Sequence, residues 1–229
     1  MKIFKTLAVV IIVMVIHVLS CEAQQTSNNT TDEGVVINGV KWATRNVDKP
    51  GTFAKKPETP GMFYQWNNNI AWSATNPITN SKGGKKWDYN HNRSTKDGYP
   101  ITKWATTNDP SPKGWRLPTA EEFRTLFDTK NVFDEWITQN GVKGKKFTDK
   151  KTGQSIFFPA AGNRHDESVE TLEDKVKLYN VGEYGIYWSS NSNKLGYAYY
   201  LLLSSKGKIV GDDGIYEQET ALSIRCVAK

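Results

Sequence analysis

The chain has 229 residues, a formal net charge of +6 at pH 7 and an aromatic content of 12%, with eight Trp. This aromatic content excludes an intrinsically disordered protein, because disordered chains have few such side chains to bury. The positive charge occurs without a nucleic-acid-binding motif, and we therefore expect no nucleic-acid partner.

Lysines in three clusters supply part of the positive charge. Such clusters are typical of solvated loops, but they can also attract acidic glycans or an anionic surface. The clusters are Lys82/Lys85/Lys86, Lys143/Lys145/Lys146 and Lys150/Lys151.

The N-terminus has the pattern of an export signal. Lys2 and Lys5 precede an apolar run, Leu7–Leu19, that is too short for a membrane span of about 20 residues. Small residues allow cleavage after Ala23, but the segment that ends at Cys21 also resembles a lipobox, in which Cys21 would be lipidated. Both routes stay open: either the signal is removed entirely, or cleavage before Cys21 leaves a lipid anchor.

Three regions follow from these patterns: a signal peptide at residues 1–23, a linker at 24–34 and one domain at 35–229. The linker is polar and has no apolar period. At the start of the domain, Asn38-Gly39 lies between two apolar runs and predicts a β-hairpin. With Cys21 removed or lipidated, Cys226 is alone and cannot form a disulfide within the mature domain.

A long loop-like region runs from Asn67 to Pro112. A loop of this length inside one domain is often functional. Its aromatic side chains allow two interpretations: they pin the loop onto the core, or they form a platform on which sugar rings stack. The candidate ligand-binding residues are Trp72, Trp87, Tyr89 and Trp104 for stacking, and Asn67, Asn90 and Asn92 for hydrogen bonds to hydroxyls.

Two helices are predicted after this loop. Thr119 can cap a helix whose Glu122 reaches back to the cap's own amide. A second short helix is predicted at Asn131–Gln139, with Phe133, Trp136 and Ile137 facing inward.

The remainder of the chain reads as β-structure. Strands followed by helices and then by a strand-rich half indicate a single α+β domain. The predicted strands are Ser155–Ala160, Gly185–Ser190, Tyr197–Ser204, Lys208–Val210 and Ala221–Val227.

Six short segments, in order, carry a resemblance to a known family. They are Ile37–Val47, Phe63–Trp66, Asp109–Thr119, Phe158–Gly162, Tyr187–Ser190 and Ser223–Val227. Together they resemble the FISUMP family (Fibrobacter succinogenes major paralogous domain), whose members are mostly exported or surface proteins of Bacteroidetes and related bacteria, often lipoproteins. The resemblance implies a C-type-lectin-like fold, with one or two short helices against antiparallel strands and a long irregular loop region. The segment Trp115–Phe123 also resembles the helix-opening motif of formylglycine-generating enzymes, which share that fold.

The chain departs from the family at one position. Where family members often have Cys, this chain has Ser111, and the resemblance implies that the family's Cys pairs with the one at position 226. Cys226 has therefore lost its partner, and we expect it to be buried, with no sulfur near enough to bond.

No metal site or cofactor is expected. His91, His165 and Cys226 have no zinc-ligand spacing. A group of neighbouring carboxylates suits calcium, but the segment Gly211–Gly214 is strong turn chemistry, so we expect a charged hairpin turn instead. These carboxylates belong to Asp212, Asp213, Glu217 and Glu219.

Catalysis is not expected either. The sequence pairs no two carboxylates for glycoside hydrolysis and has no phosphate loop or nucleophile elbow. Cys226 alone cannot replace the two active-site cysteines of formylglycine-generating enzymes.

These patterns favour a non-catalytic binding module for a glycan or another protein. We expect it at the cell surface, in the periplasm or at the outer membrane of a Gram-negative bacterium, touching a membrane only through an anchor at Cys21. Two alternatives stay open: a structural or adhesin-like surface lipoprotein, and a glycan-processing enzyme.

Overall fold

The computed structural model describes residues 30–88, 100–166, 176–195, 197–211 and 218–229. Within these ranges the chain forms fifteen short strands, one α-helix, α1 (Ala120–Thr125), and one 3₁₀ turn, Thr106–Asn108. The strands are β1 (Val35–Ile37), β2 (Val40–Asn46), β3 (Met62–Gln65), β4 (Ala71–Ser73), β5 (Trp115–Arg116), β6 (Val132–Gln139), β7 (Val142–Asp149), β8 (Ser155–Pro159), β9 (Asn163–Asp166), β10 (Val176–Tyr179), β11 (Gly185–Ser192), β12 (Ala198–Leu203), β13 (Lys208–Gly211), β14 (Ala221–Leu222) and β15 (Arg225–Ala228). The predicted signal peptide and Cys21 lie outside the described residues.

Four antiparallel sheets contain these strands. The first sheet has the order β1-β2-β15-β5, so the last strand of the chain lies between β2 and β5, which are far from it in sequence. The second has the order β10-β9-β14-β3-β4, and the other two are β11-β12-β13 and β6-β7-β8. Long-range pairing of this kind brings segments from distant parts of the sequence to one surface.

The prediction of an α+β, C-type-lectin-like fold is wrong. The described ranges are dominated by strands, and α1 has only six residues. No helix in these ranges is both long and apolar enough to span a membrane.

The predicted second helix at Asn131–Gln139 is the strand β6. It pairs along its whole length with β7, from Val132 opposite Asp149 to Gln139 opposite Val142. Asn140 and Gly141 join the two strands with φ angles of 48° and 82°. Both residue types accept positive φ, so this pair forms a tight hairpin turn and directs the preceding segment into a ladder.

Other local predictions are confirmed. Asn38 and Gly39 turn between β1 and β2 with φ angles of 46° and 81°. Thr119 caps α1: its hydroxyl accepts from the Glu122 amide, and the Glu122 carboxylate accepts from the Thr119 amide. The residues that form the turn and the cap are close together in sequence, so these local structures do not depend on contacts with distant segments.

The long strand predicted at Ala221–Val227 is divided between two sheets. Its first part, β14, pairs with β3 and β9, and its last part, β15, pairs with β2 and β5. Between them, the Ser223 amide donates to the Ile186 carbonyl at 3.2 Å. The whole segment is buried because it crosses the core from one sheet to the other.

Buried aromatic side chains hold the sheets together. Trp42, Trp66 and Trp188 are fully buried and Trp115 is nearly so, and all four belong to the core. Two of them also join distant segments: the indole of Trp66 donates to the Ser189 carbonyl at 3.0 Å, and that of Trp188 to the Tyr64 carbonyl at 2.9 Å.

The end of the predicted linker is attached to the domain. Asp32 has a side chain only 1% exposed, and it accepts hydrogen bonds from the backbone amides of Gly34 and Thr44. It also forms an ion pair with Arg45 at 3.1 Å. The polar composition of this segment predicts a linker, but Asp32 instead supplies a buried carboxylate that attaches the segment to the domain.

Asp134 joins two sheets. Its carboxylate forms an ion pair at 2.9 Å with Lys145, on β7, and another with Lys208, on β13. Burial alone would raise the pKa of Asp134, but the hydrogen bonds from the two ammonium groups outweigh it and hold this pKa below its usual value. The Lys145 charge is therefore satisfied inside the protein rather than exposed to an anionic partner.

We predict that Asp134→Asn lowers the free energy of unfolding at pH 7 by about 1.5–3 kcal/mol, since hydrogen bonds to charged groups contribute this much. A carboxylate whose pKa is lowered in the folded protein stabilises the folded state fully at pH values above its pKa in the unfolded chain, which is near 4. This stabilisation is lost as the pH falls through the pKa of the folded state. The difference between wild type and variant should therefore shrink below about pH 4 in urea unfolding.

The control is Glu121→Gln, which removes the exposed pair with Arg124. It should change stability by less than about 1 kcal/mol at any pH. A difference between wild type and Asp134→Asn that stays constant down to pH 2 would contradict the prediction.

Candidate functional site

The predicted aromatic platform is largely buried. Trp72 and Trp87 are each 2% exposed and contact each other, with ring centroids 4.7 Å apart. Trp104 is 6% exposed and packs edge-on against Trp66. The other candidates, Tyr89, Asn90 and Asn92, lie outside the described residues.

These positions favour packing over stacking. A sugar ring stacks on an open aromatic face, and the faces of Trp72, Trp87 and Trp104 are covered by protein. Asn67 also acts in packing: its side-chain oxygen accepts from the Ala105 amide at 2.7 Å. The described parts of the loop region are therefore held onto the core by indoles and an amide.

A cleft of about 470 Å³ lies beside this packed loop. Small-ligand pockets in proteins typically measure about 300–1,000 Å³. More than half of its lining belongs to the segment Asp109–Thr119. The lining residues are Lys103, Trp104, Thr106, Asp109, Ser111, Trp115, Arg116, Leu117, Thr119, Ser190 and Lys229.

Backbone hydrogen bonds fix the walls of the cleft. Ser190, on β11, is central: its carbonyl accepts from the Trp104 amide and its amide donates to the Pro118 carbonyl, both at 2.7 Å. At the other side, the Lys229 amide donates to the Gly114 carbonyl at 3.0 Å. Three distant segments are thus joined, so the cleft is a built feature of the fold.

The Arg116 charge in this cleft is already compensated. Its guanidinium forms two hydrogen bonds with the Glu122 carboxylate, at 2.8 and 2.6 Å. Burial would raise the pKa of Glu122, but the Arg116 and Thr119 hydrogen bonds lower it on balance, so the pair stays ionised. Arg116 therefore positions the start of α1.

The ammonium groups of Lys103 and Lys229 remain without an ion pair among the described residues. Asp109 is the carboxylate of the lining, and it accepts from the Ser111 amide at 2.8 Å. The side chains that line the described cleft therefore carry more uncompensated positive charge than negative charge.

Cys226 lies directly behind the cleft wall. It is fully buried and free, and its thiol donates to the Ser111 hydroxyl at 3.2 Å. The expectation of a buried, unpaired cysteine is confirmed. Burial raises the pKa of the Cys226 thiol, so the sulfur stays protonated and is a poor nucleophile.

We predict that Ser111→Cys forms a disulfide with Cys226, because the two side chains already touch. The bond would close a loop of 115 residues, and such cross-links typically add about 2–4 kcal/mol to the free energy of unfolding. Urea unfolding with and without a reductant measures this gain.

Ser111→Ala serves as the control, and its stability should not respond to the reductant. The prediction fails if folded Ser111→Cys protein, kept under oxidising conditions, still shows two free thiols after denaturation.

Among the described residues, no three His, Cys, Asp or Glu side chains lie close enough together to hold a metal ion. His165 stacks against Tyr179, with centroids 4.5 Å apart. Of the carboxylates considered for calcium, Glu219 is described, and Asp212, Asp213 and Glu217 lie outside the described residues, as does His91.

Sequence reasoning missed four of the lining residues: Lys103, Thr106, Ser190 and Lys229. The family resemblance included the segments Asp109–Thr119 and Tyr187–Ser190, and Trp104 was a predicted stacking residue, but no pattern joined them into one site. The missed residues belong to three separate segments, and nothing local marks those segments as neighbours.

The fold and the cleft define a strand-rich module of four antiparallel sheets with a surface cleft whose lining includes two lysines without an ion pair among the described residues. The model of the Fibrobacter succinogenes major domain matches residues 24–228, and the chain belongs to this family. Comparison with curated proteins and with solved structures found no match. The match begins within the predicted linker, in keeping with the attachment of Asp32 to the domain.

Proposed function

We propose that this protein is an exported, non-catalytic binding module that takes a glycan or a segment of another surface protein into the cleft. The observation that carries the proposal is the cleft itself, whose 470 Å³ is framed by Asp109–Thr119 and rigidly tied to β11 through Ser190. A preformed concave site with a few convergent polar groups is typical of ligand binding.

The side chains of the cleft support binding better than catalysis. Hydrolysis of a glycoside needs two carboxyl groups that flank the bond. The lining offers Asp109, and the nearby Glu122 is held by Arg116. The buried, protonated Cys226 does not provide a nucleophile.

Export is proposed on the N-terminal pattern alone. Mass spectrometry of the mature protein distinguishes the two processing routes: a lipidated Cys21 supports a membrane anchor, and a free Gln24 supports release as a soluble module. An intact Met1 on protein isolated from the native cells would contradict export.

The cleft is tested by filling it. Thr106 is exposed and lines the cleft, whereas its neighbour Thr107 is equally exposed but does not. We predict that Thr106→Trp weakens the strongest interaction found on an array of acidic and neutral oligosaccharides, or with surface proteins, by at least about tenfold, or about 1.4 kcal/mol.

Thr107→Trp is the matched control and should bind like wild type, and both variants should keep the wild-type melting temperature. Equal binding by the two variants would show that the ligand site lies elsewhere. Turnover of a bound glycan by the purified protein would replace the proposal with an enzymatic function.

A further inference from the structure

The cleft presents hydrogen-bond donors whose acceptors are missing. The Ser111 oxygen already accepts from the Cys226 thiol, and the Thr119 oxygen already accepts from the Glu122 amide. Each hydroxyl can also donate one hydrogen bond through its own O–H, and this O–H has no acceptor in the described part of the chain. Both hydroxyls are therefore available as donors to a ligand.

Trp104 forms part of the wall but adds no donor. Its side chain lines the cleft and is 6% exposed, and its indole N–H is buried out of reach of a ligand. The donors that a ligand can reach are therefore the two hydroxyls and the lysines beside them.

Two cations stand beside these donors. Lys103 is adjacent to Trp104 in sequence, and Lys229 lies next to the Asp109–Thr119 segment. Ammonium groups are donors only. The main acceptor among the lining side chains is the Asp109 carboxylate, so the donors outnumber the acceptors. The cleft therefore suits a ligand with many acceptors and a negative charge.

We propose, on the basis of the proposed function, that the ligand of this cleft is an anionic sugar residue that carries a carboxylate or a sulfate ester. Its acidic group lies between Lys103 and Lys229, and its ring and hydroxyl oxygens accept from Ser111 and Thr119. The ring oxygens and the acidic group supply acceptors on a compact unit that a cleft of 470 Å³ can hold.

An acidic peptide fits this lining less well. Each peptide unit brings an obligatory N–H donor that needs an acceptor. In the cleft these donors would face Lys103 and Lys229, which only donate. A sugar acid brings no obligatory N–H group, and each of its hydroxyls accepts as well as donates.

The proposal is tested by titration calorimetry with a tetragalacturonate, its methyl ester and a sulfated galactose tetramer. We expect the methyl ester, which loses its charge but keeps its shape, to bind at least about tenfold more weakly than the acid. Of the two acidic probes, the tighter one identifies the natural anion as carboxylate or sulfate.

Charge-removing variants locate the interaction. Lys103→Gln and Lys229→Gln should each weaken binding of the tighter acidic probe about tenfold, which corresponds to the contribution of a charged hydrogen bond. Lys113→Gln is the matched control, because Lys113 is exposed in the same segment but does not line the cleft. It should bind like wild type.

The outcomes separate this inference from the function on which it rests. If the acid and its ester bind equally, and Thr106→Trp abolishes both, the cleft is a glycan site but not an anionic one. If acidic peptides compete for the cleft and no glycan binds, the ligand is a protein. If Thr106→Trp affects no ligand, both proposals fail.

Discussion

Trp72→Ala is expected to lower the free energy of unfolding by about 3–5 kcal/mol, the usual cost of truncating a buried Trp. The side chain is 2% exposed and packs against Trp87, so its removal leaves a cavity that the neighbouring strands cannot readily fill. Chemical denaturation followed by circular dichroism measures the loss.

Tyr197→Ala is the control, because Tyr197 is 45% exposed. It should change stability by less than about 1 kcal/mol. A stacking role for Trp72 would give the opposite pattern, namely lost glycan binding at nearly unchanged stability, and that result would overturn the packing interpretation of this region.

Arg225→Met is expected to lower the free energy of unfolding by at least about 3 kcal/mol. The substitution leaves several buried oxygens without a donor, and each unsatisfied oxygen costs about 1–3 kcal/mol. The guanidinium of Arg225 is fully buried and donates to the Asn46 side chain and to the carbonyls of Ala43 and Phe157. It also lies 4.5 Å from the Phe158 ring centroid.

Arg225→Lys should be nearly as destabilising, since a single ammonium cannot reproduce the planar fork of donors. Arg124→Met is the matched control: it removes an exposed arginine paired with Glu121, and its effect should stay below about 1 kcal/mol. If Arg225→Lys retained wild-type stability, the guanidinium hydrogen bonds that join β2, β8 and β15 would not be needed for stability, and this interpretation would be wrong.

Local chemistry made part of the fold predictable. The Asn38-Gly39 turn and the Thr119–Glu122 capping box are each encoded within four residues, and both are observed. Their geometry is satisfied by neighbouring backbone atoms, so tertiary structure has little opportunity to override it.

Predictions failed where distant segments decide the structure. Phe133, Trp136 and Ile137 have helical spacing, but β7 offers a complete ladder of partners to this segment. Phe133 is consequently 52% exposed instead of facing inward. The C-type-lectin-like expectation rested on family resemblance, and no periodicity in the chain independently supported it.

The cleft could be anticipated only in part. Its central segment, Asp109–Thr119, belongs to the family resemblance, but the resemblance does not indicate that this segment lines a cleft. The opposite wall depends on Ser190, which meets Trp104 through a backbone hydrogen bond across 86 positions of the numbering. Such a pairing has no local pattern.

The indole N–H signals of the eight Trp residues provide the most direct test of the account. In ¹⁵N-labelled protein titrated with the tighter acidic tetrasaccharide, the N–H signals of Trp104 and Trp115 should shift, because both side chains line the cleft. The signals of Trp72 and Trp87, assigned by substitution, should stay in place. A titration that shifts Trp72 and Trp87 but leaves Trp104 unchanged would contradict the cleft as the ligand site.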